Sequence, residues 1–390
     1  MKGKIQPAWL QGLLDAATRT AAAEFDKSWK PASVLPEWIC AGAPPADRSG
    51  ANPKQSVSAA FLKRVAALDD GPQSLAELEK KWCQLTVDFP REGLAWFGLA
   101  VLQLRSGRLD VAQATCDAAL AAGVAAEKLM KLPTMITHAR NGPDWTHPVA
   151  IESAHYVVKS DIDKQLCVDA SKVLEESYRA YGLRLAPVAD LEKKRFPVFL
   201  FSGAAGYHDY ASAALQSKAP STAGVYSPTL KQLLIWNLPD RAEMFRTIRH
   251  EGFHQYLDRL TSDAPIWFDE GMAEYFELAD LYGGEWKEGQ THADHVGILN
   301  STGTTWVPLP TLFAMSTRTF QGDDVMLHYA ESWAVVHYLR QGPKDAQDRF
   351  RRFWSALLDG QDADAATQAA FGDADLHALE AVVKEYVRKL

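Results

Sequence analysis

The sequence predicts an α+β fold that is predominantly helical, and three observations support this class. Apolar residues recur at helical spacing between residues 57 and 121. Strand-like and helix-like segments then alternate as far as about residue 240, and helical spacing resumes from Arg241 to the end. Because 390 residues exceed what one hydrophobic core usually holds, we expect several domains. The predicted segments are an N-terminal helix with a linker (1–56), a helical module (57–147), and a domain (148–390) with an α/β lobe (148–240) and a helical lobe (241–390).

The helical module follows a segment rich in Pro, Ala and Gly, residues 41–54, which is typical of a linker. Its pattern predicts four helices, at 57–68, 74–88, 93–105 and 109–121. The last pair resembles a tetratricopeptide repeat in its large and small positions, which are Trp96, Ala100, Gly107, Ala112, Cys116 and Ala119. The resemblance covers about two units of roughly 34 residues and implies helical-hairpin repeats. It leaves open whether the module binds a protein partner or serves only as a structural support.

The α/β lobe is predicted from strands that alternate with helices. We expect strands at 154–159, 196–201 and 233–236, an extended segment at 223–226 before a turn at Ser227-Pro228, and helices at 162–181 and 206–216. In the helical lobe, the region from Asp345 to Leu390 predicts two amphipathic helices split by Phe371-Gly372-Asp373.

The pattern that indicates chemistry is His250-Glu251-Gly252-Phe253-His254, within a predicted helix from Arg241 to Leu260. Residues four apart on a helix lie on one face, so His250 and His254 can bind one metal ion. Glu251 is rotated by about 100° from His250, which lets it reach a water on that ion without being a ligand. This is the arrangement of a zinc hydrolase, with a third ligand supplied from elsewhere. The alternative is a solvated helix that carries two histidines.

A second predicted helix follows Pro265, with Asp269 as its cap, and extends to about Leu281. It carries Glu270 and Glu274 four residues apart, so both carboxylates share one face. Acidic residues also favour a helix N-terminus for electrostatic reasons alone, which is the alternative reading of this pair.

The stretch from His250 to Phe276 resembles the gluzincin zinc peptidases, the class of thermolysin and aminopeptidase N. The resemblance implies that Glu270, in Asp269-Glu270-Gly271, is the third zinc ligand. It also implies that Glu274 orients a ligating imidazole through its other ring nitrogen.

Further segments are similar to that class. Residues 329–339 resemble the segment that begins with a transition-state tyrosine, which implies that Tyr329 donates to the oxyanion, with His328 as the alternative donor. The implied substrate-binding sheet edge consists of Ala223, Gly224, Val225 and Tyr226. This edge lacks the glutamate that holds a substrate amine in aminopeptidase N, so an aminopeptidase specificity is not supported. From Pro148 to Leu390 the chain resembles a bacterial group of peptidase-MA-like proteins, which implies a thermolysin-like, two-lobed metallopeptidase domain.

These residues together predict zinc-dependent peptide-bond hydrolysis of a peptide or protein substrate by a metal-activated water. One zinc per chain is held by His250, His254 and Glu270, Glu251 is the general base, and Tyr329 stabilises the oxyanion. Two alternatives stay open. One is an inactive metallopeptidase-like scaffold or interaction module, and the other is a zinc hydrolase of non-peptide amides or esters.

Composition excludes some partners. A net charge of −8 argues against nucleic-acid and anionic-membrane partners, and no apolar run approaches the roughly twenty residues of a membrane span. The four cysteines are scattered and form no C-x-x-C pair, so a cytoplasmic location is expected, or export if the N-terminus has been trimmed. His292 and His295 flank Ala293-Asp294, and we expect a surface turn there rather than a secondary metal site.

Overall fold

A computed structural model describes residues 59–66, 68, 75–124, 126–187, 195–215, 222–261, 264–282 and 285–390. The predicted N-terminal helix and linker, 1–56, lie outside these residues. The described chain is α+β, mostly helical with a small mixed sheet, which confirms the predicted class. It divides into two compact units. The first takes its described residues from Met1–Thr146, His208–Pro220 and Ser227–Gln232, and the second from His147–Tyr207, Ser221–Tyr226 and Leu233–Leu390.

The first unit is a series of helices packed through small and aromatic residues. Its helices are α1 (Ala59–Ala66), α2 (Leu75–Asp88), α3 (Gly93–Arg105), α4 (Leu109–Ala121) and α5 (Glu127–Asn141). Trp96, Ala100, Ala112, Cys116 and Ala119 are buried in one cluster. Gly107 follows α3 with a φ of 71°, a backbone conformation that favours glycine and ends the helix.

Helix α5 was not predicted. Pro133 lies inside it and removes a backbone donor, so the local pattern gives a weak helical signal. Burial stabilises the helix instead, because Leu129, Leu132 and Ile136 recur at helical spacing and pack into the same cluster as Trp96.

The sheet has the strand order β1-β2-β3-β5-β4. Its strands are β1 (Val149–Glu152), β2 (Tyr156–Ser160), β3 (Phe196–Phe201), β4 (Gly224–Ser227) and β5 (Gln232–Trp236). β1 pairs antiparallel with β2, whereas β2–β3 and β3–β5 are parallel. Two helices alternate with the strands, α6 (Lys164–Arg184) and α7 (Ala204–Leu215). β4 therefore forms one edge of the sheet.

The helices of the second unit pack around a large aromatic core that includes Trp267, Phe268, Trp333 and Phe353. They are α8 (Arg241–Leu257), α9 (Ile266–Glu277), α10 (Ala293–Leu299), α11 (Leu309–Phe313), α12 (Thr317–Phe320), α13 (Val325–Gln341), α14 (Lys344–Leu358), α15 (Ala363–Phe371) and α16 (Leu376–Val387), with a hairpin of β6 (Asp280–Tyr282) and β7 (Glu285–Lys287) after α9.

A glycine lets α9 and α13 approach closely. A Cβ atom on Gly271 would lie 2.5 Å from the backbone oxygen of Ser332 and 2.8 Å from a methyl group of Val336. Any larger residue would push the two helices apart. Gly271 and Ser332 thus belong to one helix–helix contact that fixes the position of the residues beside Gly271.

Two predictions of element boundaries are wrong. The C-terminal region forms three helices, α14, α15 and α16, because Gly360 adopts a φ of 76° and ends α14 before a new cap at Asp362. Helix α9 begins at Ile266 after Pro265, so Asp269 lies in its first turn and is not its cap. Among the described residues, no helix combines the length and the apolar character that crossing a bilayer requires.

Candidate metal centre and active site

Helix α8 brings two histidines onto one face. Asp240 caps its N-terminal end, with a side chain that accepts a hydrogen bond from Ala242 N at 2.8 Å. One turn apart near its C-terminal end, the rings of His250 and His254 have centroids 4.9 Å apart. Both side chains are largely buried, with 13% and 14% of their area exposed.

Glu270 on α9 points its Oε2 atom at both imidazoles. This atom lies 3.5 Å from His250 Nε2 and 3.3 Å from His254 Nε2. Ligands held 2.0–2.2 Å from a tetrahedral metal ion are themselves about 3.3 Å apart, so the two distances fit a shared ion. Glu270 Oε2 is also buried without a hydrogen bond, as expected of an atom that faces a metal. His250, His254 and Glu270, here called the three-ligand group, could therefore hold a metal ion.

The opposite ring nitrogens face carboxylates. His254 Nδ1 donates to Asp269 Oδ1 at 2.6 Å, which fixes the tautomer and leaves Nε2 free as a ligand. His250 Nδ1 lies 3.4 Å from Glu277 Oε2 and 3.6 Å from Glu274 Oε1. Glu274, the predicted orienting residue, is thus slightly beyond hydrogen-bond distance of His250.

Asp269 and Glu277 were missed by the sequence analysis. Both side chains lie on α9, and they contact the imidazoles only because of the position at which α9 crosses α8. The sequence indicates this role only through the acidic character of residues 269–277. A local pattern does not show which of those carboxylates meets an imidazole.

The charges of the group support one another. Burial disfavours a charged imidazole, but Glu270 and Glu277 outweigh it and raise the pKa of His250 well above its ordinary value. Asp269 and Glu270 do the same for the pKa of His254. Burial raises the pKa of Glu270, yet His254 and His250 dominate and lower it to about 2. The Glu270 carboxylate is therefore ionised, and a metal ion that binds the group would displace the protons from the two Nε2 atoms.

Glu251 lies beside the edge strand. Its Oε2 accepts a hydrogen bond from Tyr226 N at 2.6 Å. Burial raises the pKa of its carboxyl group, and the charge of Glu270 adds to this effect. A raised pKa brings a carboxylate closer to the range in which it can accept and return a proton.

The predicted substrate edge lies where β4 borders the sheet, and it is tightly packed. A Cβ atom on Gly224 would lie 2.8 Å from Thr247 and 3.2 Å from Glu251 Cγ. This glycine therefore allows β4 to approach α8. Of the four predicted residues, Gly224, Val225 and Tyr226 lie in β4, and Ala223 precedes it and accepts from Trp236 N at 3.2 Å.

Tyr329 on α13 lies near the imidazoles, with its ring centroid 6.4 Å from that of His250. Its hydroxyl accepts a hydrogen bond from Gln321 Nε2 at 3.2 Å. Burial, followed by the negative charge of Glu270, raises the pKa of Tyr329, so the hydroxyl keeps its proton and remains a donor. The alternative donor, His328, is buried and its Nδ1 pairs with Phe320 O at 2.7 Å, which ties that nitrogen to the backbone.

The prediction of a surface turn at His292 and His295 is wrong. His295 is 3% exposed, and its Nε2 lies 2.8 Å from Glu274 Oε2. His292 Nε2 lies 3.7 Å from the same oxygen. The local sequence around these histidines is polar, but the hairpin of β6 and β7 returns the chain to α9 and places them against its carboxylates.

Comparison with known proteins adds one family. Residues 244–356 match a family described as "Protein of unknown function (DUF1570)", and this segment contains every residue of the three-ligand group together with Glu251 and Tyr329. A search of curated proteins gives no match.

Proposed function

We propose that this chain is a zinc-dependent peptidase of the gluzincin type, with a catalytic zinc held by His250, His254 and Glu270. The observation that carries the proposal is the pair of 3.5 and 3.3 Å distances from Glu270 Oε2 to the two imidazoles, with Glu251 next to them. Imidazole and carboxylate ligands in this ratio favour zinc among the common metals. The proposal includes a two-lobed arrangement, with the sheet contributing β4 on one side and α9 and α13 contributing Glu270 and Tyr329 on the other.

A zinc ion at this position would polarise a substrate carbonyl and lower the pKa of the attacking water towards about 7. The chain's own residues do the rest. Glu251 accepts the proton of the water and delivers it to the amine that leaves. Tyr329 donates its hydroxyl proton as a hydrogen bond to the developing oxyanion. Asp269 holds the ring of His254 in the ligating tautomer throughout.

An extended peptide is the substrate that best suits this site, since β4 is the edge of a sheet and main-chain hydrogen bonds can add a strand there. A hydrolase of small amides or esters is the second candidate. It is favoured by one observation, that the Tyr226 N–H already donates to Glu251 and is not open to a substrate carbonyl. A protein partner on the helical module and a purely scaffolding role remain predictions without a supporting contact.

The first test combines metal content with turnover. Wild-type protein and Glu270→Ala are analysed for zinc after chelation and reconstitution, and Glu251→Gln is assayed against a peptide library. We expect Glu270→Ala to lose the zinc of this group. Glu251→Gln should keep it while kcat falls by about 10² to 10⁴, the usual contribution of a general base. Near-normal turnover in Glu251→Gln would refute the role of this residue, and cleavage of esters but not peptides would favour the second candidate.

A further inference from the structure

A second set of histidines and carboxylates lies next to the three-ligand group and takes no part in the proposed reaction. Glu274 and Glu277 project from the last turn of α9, and His292 and His295 lie at the start of α10. Glu274 Oε2, His292 Nε2 and His295 Nε2 lie within 4.8 Å of one another. Glu277 Oε1 lies 3.5 Å from His292 Nε2. These four residues are here called the four-ligand group.

The two imidazoles of this group are arranged as a pair. Their rings are stacked, with centroids 3.7 Å apart and an angle of 18° between the planes, so both Nε2 atoms face α9. Their Nε2 atoms lie 3.7 and 2.8 Å from the one oxygen of Glu274. These values bracket the spacing of about 3.3 Å between neighbouring ligands of a tetrahedral zinc ion.

The tautomers allow this role. His292 Nδ1 accepts a hydrogen bond from His295 N at 3.5 Å, which is at the limit of hydrogen-bond distance. Binding an ion through Nε2 would move the ring proton of His292 to Nδ1 and would cost only this weak contact.

The charges also favour a cation. Every ion pair that the carboxylates of Glu274 and Glu277 form within the described chain is with a histidine. A divalent ion placed between these carboxylate oxygens and imidazole nitrogens would give all of them a partner in a mostly buried site. Trp333, itself fully buried, places its ring 5.8 Å from that of His295 and covers the site from α13.

We propose that Glu274, Glu277, His292 and His295 bind a second zinc ion, which has a structural role. Glu274, His292 and His295 already lie together, and Glu277, 3.5 Å from His292, would complete a tetrahedral shell, whereas a catalytic zinc keeps one position open. The ligands are also shielded, since Glu274 is 8% and His295 3% exposed. The ion ties α10 to the end of α9, two elements separated in the chain by the β6–β7 hairpin.

This second ion acts on the first site through His250. The Nε2 of His250 faces Glu270, and its Nδ1 faces Glu277 at 3.4 Å and Glu274 at 3.6 Å. An ion that fixes these two carboxylates also fixes the ring of His250. Loss of such outer partners typically weakens metal binding by 10- to 100-fold, so the three-ligand group should bind zinc that much more weakly when the second ion is absent.

The experiment counts zinc on the full chain, stripped with a chelator and titrated with Zn²⁺, by elemental analysis after gel filtration. Wild type should bind two equivalents, and both Glu270→Ala and the double variant His292→Ala/His295→Ala should bind one. Adding the two histidine changes to Glu270→Ala should remove all tight zinc. His377→Ala, which removes an exposed histidine on α16, should still bind two.

Glu270→Ala decides the proposal even if the double histidine variant fails to fold. Zinc lost entirely from Glu270→Ala overturns the second site, and so does zinc that persists in the triple variant. A wild type with one equivalent that is kept by Glu270→Ala and lost by the double variant supports this proposal and refutes the catalytic zinc. As a milder change, Glu277→Gln should weaken the second equivalent by at least 10-fold while circular dichroism stays that of wild type.

Discussion

The three-ligand group, which contains His250, and the four-ligand group, whose two carboxylates face the same ring, differ in how the chain assembles them. Two of the three ligands in the three-ligand group come from one turn of α8, and the third lies in the first half of the next helix. The four-ligand group joins the last turn of α9 to the start of α10, and the β6–β7 hairpin separates these two elements in the chain. In the two proposals, an ion in the three-ligand group would keep one coordination position open, and an ion in the four-ligand group would have only protein ligands.

This difference explains why the sequence predicted one group and not the other. An i, i+4 pair on a helix fixes its own geometry, so His250 and His254 predict a shared ligand face before any tertiary structure is known. Glu274 and His295 meet only because β6 and β7 turn the chain back. Tertiary contacts of this kind leave no periodic signal, which is why His295 was predicted to lie on the surface.

Among the variants that affect only the three-ligand site, Tyr329→Phe is expected to have the largest effect on kcat after Glu251→Gln and Glu270→Ala. Removing the donor hydroxyl should lower kcat by about 10² to 10³ with little change in KM, because the hydroxyl acts on charge that develops only in the transition state. Zinc content should stay that of wild type in both groups. Gln321→Ala is the matched control, since it removes the hydrogen bond to the hydroxyl but leaves the donor, and it should cost less than tenfold. Equal losses in the two variants would contradict the role of Tyr329.

Asp269→Asn should weaken zinc binding at the three-ligand group alone. The neutral amide holds the Nδ1 proton of His254 less strongly, and outer partners of this kind are typically worth 10- to 100-fold in affinity. The measurement is a chelator competition in the His292→Ala/His295→Ala background, which isolates this group. Asp294→Asn, an exposed acid on α10, serves as the control for loss of charge. An unchanged affinity in Asp269→Asn would show that the 2.6 Å contact does not orient the ligand.

The sequence predicted the fold class, most of the described helices and the three residues that the structure brings together as the three-ligand group, and its errors have identifiable causes. The end of α14 at Gly360 depends on a left-handed backbone conformation. A glycine can adopt this conformation, but its presence in the sequence does not show that it does. The helix at Glu127–Asn141 depends on burial of Leu129, Leu132 and Ile136 against other helices, despite Pro133. In this second case long-range packing outweighed the local preference.

Gly271→Ala tests the helix contact on which both groups depend, since α9 carries Glu270, Glu274 and Glu277. The added methyl group would lie 2.5 Å from Ser332 O, and overpacking of this kind typically costs about 1–3 kcal/mol of unfolding free energy. Gly297→Ala on α10 is the matched control, because its Cβ atom would meet nothing within 4 Å and should stabilise the helix by up to about 1 kcal/mol. Denaturant unfolding of both variants gives the comparison. A neutral effect of Gly271→Ala would mean that α9 and α13 can separate without loss.

Glu331 makes the free energy of unfolding depend on pH independently of the pH dependence of kcat. Glu331 on α13 is fully buried and accepts from Val307 N at 2.6 Å; burial raises its pKa from 4.5 to about 8. A raised carboxyl pKa means that the folded state holds the proton more tightly. The resulting stability is therefore complete below pH 4.5 and is lost as the pH rises towards 8. Glu331→Gln keeps the acceptor and cannot ionise, so wild type should lose about 1 kcal/mol per pH unit relative to it between pH 5 and 7.5. Parallel plots of unfolding free energy against pH for the two proteins would contradict the raised pKa. Divergent plots would attribute the pH dependence of stability to Glu331, so that the pH dependence of kcat can be attributed separately to Glu251.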